Sequence, residues 1–183
     1  MSDAPRDTRS FRPIEDDDLR RLATIGLQAF DTLMRPGNKS QIYSGKLLLL
    51  CLCQGGALHH RQCREGRPEE ERRGIHDLDV WGFFERQPAC RFPPRWRGEE
   101  DFGLSHFGRR PEDAHFTGRK VDVIGRCLEI EPGGDPVEAV VSWIRSASGS
   151  SPRHIRQRPV FVISAGPRFG EMIWPGLTMA ADG

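Results

Sequence analysis

The chain has 183 residues, 37% hydrophobic and 29% charged, with a net charge of +1. That length and balance fit one domain with a core of its own, and exclude any global electrostatic case for nucleic acid or a membrane surface. The only lysines are Lys39, Lys46 and Lys120, so the basic side is nearly all arginine, whose planar fork suits phosphate.

In chain order, residues 1–13 are polar and read as a flexible arm, with no signal peptide. A helix is predicted from about residues 15–18, where acids favour the positive helix end. Leu19, Leu22, Ile25, Ala29 and Leu33 form its apolar stripe, and Arg35-Pro36-Gly37-Asn38 ends it. Residues 16–18 read as a solvated cap. The run 47–53 is apolar at every position, which predicts a buried strand and is too short to span a bilayer. Gly55 and Gly56 form a turn, followed by a short helix over 57–64 and a charged loop over 65–74. A second strand is predicted over 75–84, with Trp81, Phe83 and Phe84 in the core. Residues 90–118 form a long irregular loop rich in Pro, Gly, Arg and aromatics. A third strand follows over 120–128. Asp135-Pro136 with Glu138 starts a helix, lined inside by Val137, Val140, Val141 and Ile144. Ser151-Pro152 opens another short helix. Residues 158–163 and 172–174 give a fourth and a fifth strand, and 176–183 a loose tail. The fold class is α/β (α+β): a small mixed sheet of four or five strands with helices packed on one side, forming one domain over 14–175.

Cys51, Cys53, Cys63, Cys90 and Cys127 make an odd count without paired CxxC spacing. This points to a reduced, cytoplasmic protein. His59 and Cys63 stand at i, i+4, but nothing completes the four ligands of a structural zinc.

Three acids carry the chemical argument. Asp77 and Asp79 flank Leu78, and Asp122 lies between Val121 and Val123. A carboxylate within an apolar strand is costly unless it binds something. Residues i and i+2 of a strand share a face, so Asp77 and Asp79 project together while Leu78 and Val80 enter the core. Asp122 on an adjacent strand would complete a hard-oxygen site for Mg²⁺ or Mn²⁺. Gly55 and Gly56 leave backbone N–H groups open to phosphate beside a helix N-terminus. Arg61, Arg109, Arg110, Arg119 and Lys120 are further candidate contacts for phosphate or acceptor.

The order Gly55-Gly56-Ala57, then Asp77-Leu78-Asp79, then Val121-Asp122-Val123 resembles the nucleotidyltransferase superfamily. That group includes polymerase-beta-like, CCA-adding and minimal nucleotidyltransferases. The wording around Asp79-Val80-Trp81 and residues 118–126 is similar to uncharacterised bacterial members. The likeness covers roughly residues 45–128. It implies transfer of NMP from an NTP, with ATP expected, to an acceptor: a small molecule, a protein hydroxyl or an RNA end. It implies that Asp77 and Asp79 hold two metal ions, and that Asp122 holds one and helps activate the incoming hydroxyl. Two departures stand out. The 21 positions from Gly56 to Asp77 make 65–74 an insertion, and His59-His60 stand where CCA-adding enzymes carry Arg-Asp. No helical domain for tRNA follows, so CCA addition is not expected.

Other readings remain. The acids could be unrelated surface groups, or the fold a catalytically inactive binder of nucleotide or partner, or a toxin–antitoxin component. The arginines of 91–97 and 109–110 could bind nucleic acid, with Trp96 stacking a base or folding onto its own loop. His76 reads as a strand side chain.

Overall fold

The computed structural model describes residues 8–90 and 97–176. Helix α1 (Asp16–Leu33) opens the order and is followed by strand β1 (Leu47–Cys53) and helix α2 (Gln54–Arg64). Strands β2 (Leu78–Glu85), β3 (Arg97–Asp101) and β4 (Lys120–Leu128) come next, then α3 (Pro136–Ser146), α4 (Ser150–Ile155), β5 (Val160–Val162) and β6 (Met172–Trp174). The strands form one mixed sheet in the order β3-β4-β2-β1-β5-β6. Only β2 and β4 run parallel.

The sheet thus has six strands, one more than the sequence predicts. The extra one, β3, lies inside the expected irregular loop and pairs along the outer edge of β4. Its sequence, Arg97-Gly98-Glu99-Glu100-Asp101, carries no apolar alternation to announce it. An edge strand can be this polar because its backbone is satisfied on one side and its side chains meet water.

The helices also cover both faces, not one. Leu50, Leu52, Leu78, Val80, Val121 and Val123 pack under α1 and α2 with Leu22, Phe30 and Ala57. Leu49, Cys51, Trp81, Phe83 and Val162 pack under α3 and α4 with Val137, Val140, Ile144 and Ile155. A strand apolar at every position, as β1 is, demands cover on both sides. α1 approaches β2 closely enough that a Cβ on Gly82 would overlap the Phe30 ring.

At the start of α1, Asp16 and Asp17 are exposed, as a solvated cap requires, and Asp18 departs from it. The Glu15 N–H donates to Asp18 Oδ2 at 2.9 Å, and Asp18 is buried. β2 begins at Leu78, because Ile75 instead exchanges two backbone hydrogen bonds with Ser10. That bridge pins residues 8–13 of the expected arm to the fold. Residues 1–7 and 177–183 lie outside the described residues, as do Arg95 and Trp96.

The segment between β3 and β4 is stapled at its ends. The Asp101 carboxylate accepts from the N–H groups of Gly103, Thr117 and Gly118 and from the Thr117 hydroxyl. Burial alone would push this acid up, but the hydrogen bonds from Thr117, Gly103 and Gly118 outweigh it and hold it near 2. Among the described residues no helix is long and apolar enough to cross a membrane.

Candidate functional site

β1 ends where β2 and β4 begin, and at that end of the sheet the three acids come together. In the register, Asp79 stands opposite Cys53 on β1 and opposite Asp122 on β4. Asp77 precedes β2 on the same side as Asp79. All three line one cavity of about 320 Å³ on the α3/α4 face. Gln54, Trp81, Arg97, Ile124, Arg126, Ser150, Ser151, His154 and Arg158 complete its walls. Leu78 and Val80 point the other way and are fully buried.

Like charge crowds Asp79. Burial pushes its carboxyl up, and the Asp77 and Asp122 carboxylates push it further, to about 7, against the opposing pull of Arg97 and Lys120. Asp122 is paired directly with cations. Its buried carboxylate accepts from Arg97 Nε at 3.3 Å and Nη2 at 2.5 Å, and Lys120 Nζ stands 3.4 Å away. Arg97 therefore already supplies positive charge to one of the three acids. Among the described residues no three His, Cys, Asp or Glu side chains are gathered tightly enough to hold a metal ion.

The glycines play a more structural part than their sequence suggests. They lie in the first turn of α2, which starts three residues earlier than expected, rather than in a separate turn. A Cβ on Gly56 would come within 3.3 Å of Leu52 and Leu78, so glycine lets α2 sit down on β1 and β2. A Cβ on Gly55 would meet the Arg73 side chain at 3.2 Å. The chain passes from β1 into α2 through Gln54 at φ 56°, a left-handed value that costs a non-glycine residue energy. This turn brings Gln54 to the cavity, where its Oε1 accepts from Arg158 at 3.4 Å.

The basic residues picked from the sequence divide sharply. Lys120 reaches Asp122. Arg61 pairs with Glu65 at 3.3 Å along α2 and does not line the cavity. Arg109 donates to the carbonyls of Ala114 and Phe116 within its own loop. Arg110 is buried among His76, Glu112 and Asp113. Arg119 is buried and ties Thr8, His76 and Phe107 together through their carbonyls. Arg110 and Arg119 hold the 102–119 segment against His76, next to Asp77, which they position indirectly. The cations that do face the cavity are Arg97, Arg126 and Arg158. The i, i+2, i+4 spacing of Asp122, Ile124 and Arg126 on one strand was the readable signal for Arg126. Arg158 carried no such signal, since only the fold brings β5 beside Gln54.

Cys63 Sγ stands 3.4 Å from His59 Nε2, and among the described residues no metal-ligating group of three forms around them. No family model, no curated protein and no solved structure matches this chain.

Proposed function

We propose that the protein is a nucleotidyltransferase that moves NMP from an NTP, with ATP the expected donor, to an acceptor hydroxyl in the cytoplasm. The observation that carries this reading is the convergence of Asp77, Asp79 and Asp122, from two neighbouring parallel strands, on one cavity also lined by three arginines. Burial first, and then the Asp77 and Asp122 carboxylates, push Asp79 to about 7, and such a group favours a cation beside it. Their oxygens suit Mg²⁺ or Mn²⁺, so Asp77, Asp79 and Asp122 would hold the metal after drawing closer together than they stand here, where they are not gathered tightly enough for an ion. It would supply positive charge to a triphosphate and its leaving pyrophosphate.

The chain's own groups serve the rest. The N-terminus of α2 has no side-chain cap and meets the cavity at Gln54, and Arg158 and Arg73 stand beside it, so this end takes the triphosphate. Arg97 can exchange the Asp122 carboxylate for a phosphate oxygen, which leaves Asp122 free to take the proton of the attacking hydroxyl. The acceptor oxygen then bonds to the α-phosphorus as the bond to the β-phosphate oxygen breaks.

The Arg97–Asp122 pair favours a second reading, in which the site binds nucleotide without turnover. Two measurements separate them. Mn²⁺ binding, followed by electron paramagnetic resonance with and without NTP, should fall at least tenfold in Asp79→Ala, an effect of about 1.4 kcal/mol or more. Transfer of label from α-³²P-NTP should vanish in the same variant. Nucleotide binding that survives Asp79→Ala, with no transfer by wild type to any acceptor offered, supports the binding protein instead.

A further inference from the structure

Among the described residues Arg126 has no counter-ion. Half-buried in the cavity wall, it spends its hydrogen bonds on the Ser151 hydroxyl, at 3.2 and 2.9 Å, and on the Gly125 carbonyl at 2.7 Å. Its guanidinium lies over the Trp81 ring, 5.1 Å from the centroid. Among the described residues no carboxylate pairs with it. Trp81 supplies a second, independent sign: it is only 4% exposed, lines the same cavity, and its indole N–H has no partner among the described residues. His154 and Ser150 complete this end of the cavity. A desolvated guanidinium and an unused indole donor form a set that gives hydrogen bonds, where a buried cation normally keeps an anion.

We propose that Arg126, Ser151, His154 and Trp81 form an anion subsite, separate from the triphosphate end, that takes a phosphate group of the acceptor. Trp81 stands two residues beyond Asp79 on β2, so the subsite lies about 7 Å along the strand from the carboxylates. The α2 N-terminus and Arg158 lie at the other end. A donor triphosphate there leaves Arg126 free for a phosphate next to the attacking hydroxyl. The acceptor class is thus phosphate-bearing, either an RNA end or a phosphorylated small molecule. The subsite rests on the nucleotidyl-transfer reading for its purpose, but not for its existence.

The test titrates ribose 5-phosphate, a short single-stranded oligoribonucleotide and plain ribose into the full chain saturated with Mn²⁺ and α,β-methylene-ATP. At least one phosphate-bearing probe should bind while ribose does not, and which probe binds identifies the source. Arg126→Gln should weaken that probe about tenfold or more, the scale of a charge-assisted hydrogen bond, and leave the ATP analogue within about threefold. Ser151→Ala should weaken the probe less, and it takes the place of Arg126→Gln if that variant does not fold. Probe binding that ignores both changes, or no probe binding at all, overturns the subsite. So does an equal loss of analogue affinity, which would place Arg126 on the nucleotide. If the analogue never binds but a phosphate probe does so through Arg126, the nucleotidyltransferase reading fails and the subsite stands.

Discussion

Under α1 and α2, β2 and β4 present Leu78, Val80, Val121 and Val123, all fully buried. Under α3 and α4 the intervening positions of the same strands are Asp79, Trp81, Asp122, Ile124 and Arg126. The first face is a closed apolar core. The second is apolar beneath α3 and becomes a charged cavity toward the start of β2, where only the short helix α4 stands over it. One residue of register separates the two environments, because successive strand side chains alternate between faces. The lesson is that a strand can bury carboxylates beside an apolar core yet turn them toward a charged cavity, provided the cover on one face is left incomplete.

The hardest test of that contrast moves a carboxylate by one position. Val80→Asp would put an acid against α1, where a Cβ built on Gly26 would lie 2.9 Å from Val80. Val80 is fully buried in the apolar cluster, so we expect a loss of about 4 kcal/mol or more, seen as insoluble protein or a collapsed urea midpoint. A variant with near wild-type stability would show the α1/α2 face to be far looser than its packing implies. Asp122→Asn tests the charged face and should be milder. It leaves Arg97 and Lys120 without the carboxylate they share, at a cost of about 1–3 kcal/mol by denaturant titration. A neutral or stabilising result would mean that the Arg97 pair contributes nothing to the fold.

Much of this contrast is legible in the sequence. Asp77-Leu78-Asp79 and Val121-Asp122-Val123 announce the alternation through their spacing alone, and β4 falls on the expected residues 120–128. What escapes is whatever depends on partners distant in the chain. β3 is invisible because edge strands need no apolar pattern. The second helical layer follows from β1, but only if its unbroken apolar run is taken as a demand for two covers. Arg109, Arg110 and Arg119 look like phosphate ligands because the sequence shows their charge and not the carbonyls, carboxylates and imidazole that occupy them. Arg97 and Arg126 differ from them only in where the sheet sends their side chains.

The most diagnostic effect is at Asp79. Its carboxyl is raised to about 7 by burial first and then by Asp77 and Asp122. The folded form therefore holds its proton longer than the unfolded chain does. Between about pH 4 and 7 wild type should lose stability as pH rises, by up to about 1.4 kcal/mol per pH unit. Below that window the group contributes nothing. Asp79→Asn cannot ionise, so it should match wild type near pH 3.5 and melt higher at pH 8, by about 2–4 °C for each kcal/mol recovered. Mg²⁺ should close the gap at pH 8 by stabilising only wild type, and should do little at pH 5, where the proton competes. A lower melting temperature for Asp79→Asn at pH 8 would give Asp79 a structural role, and would remove the charge crowding on which the metal-dependent reading rests.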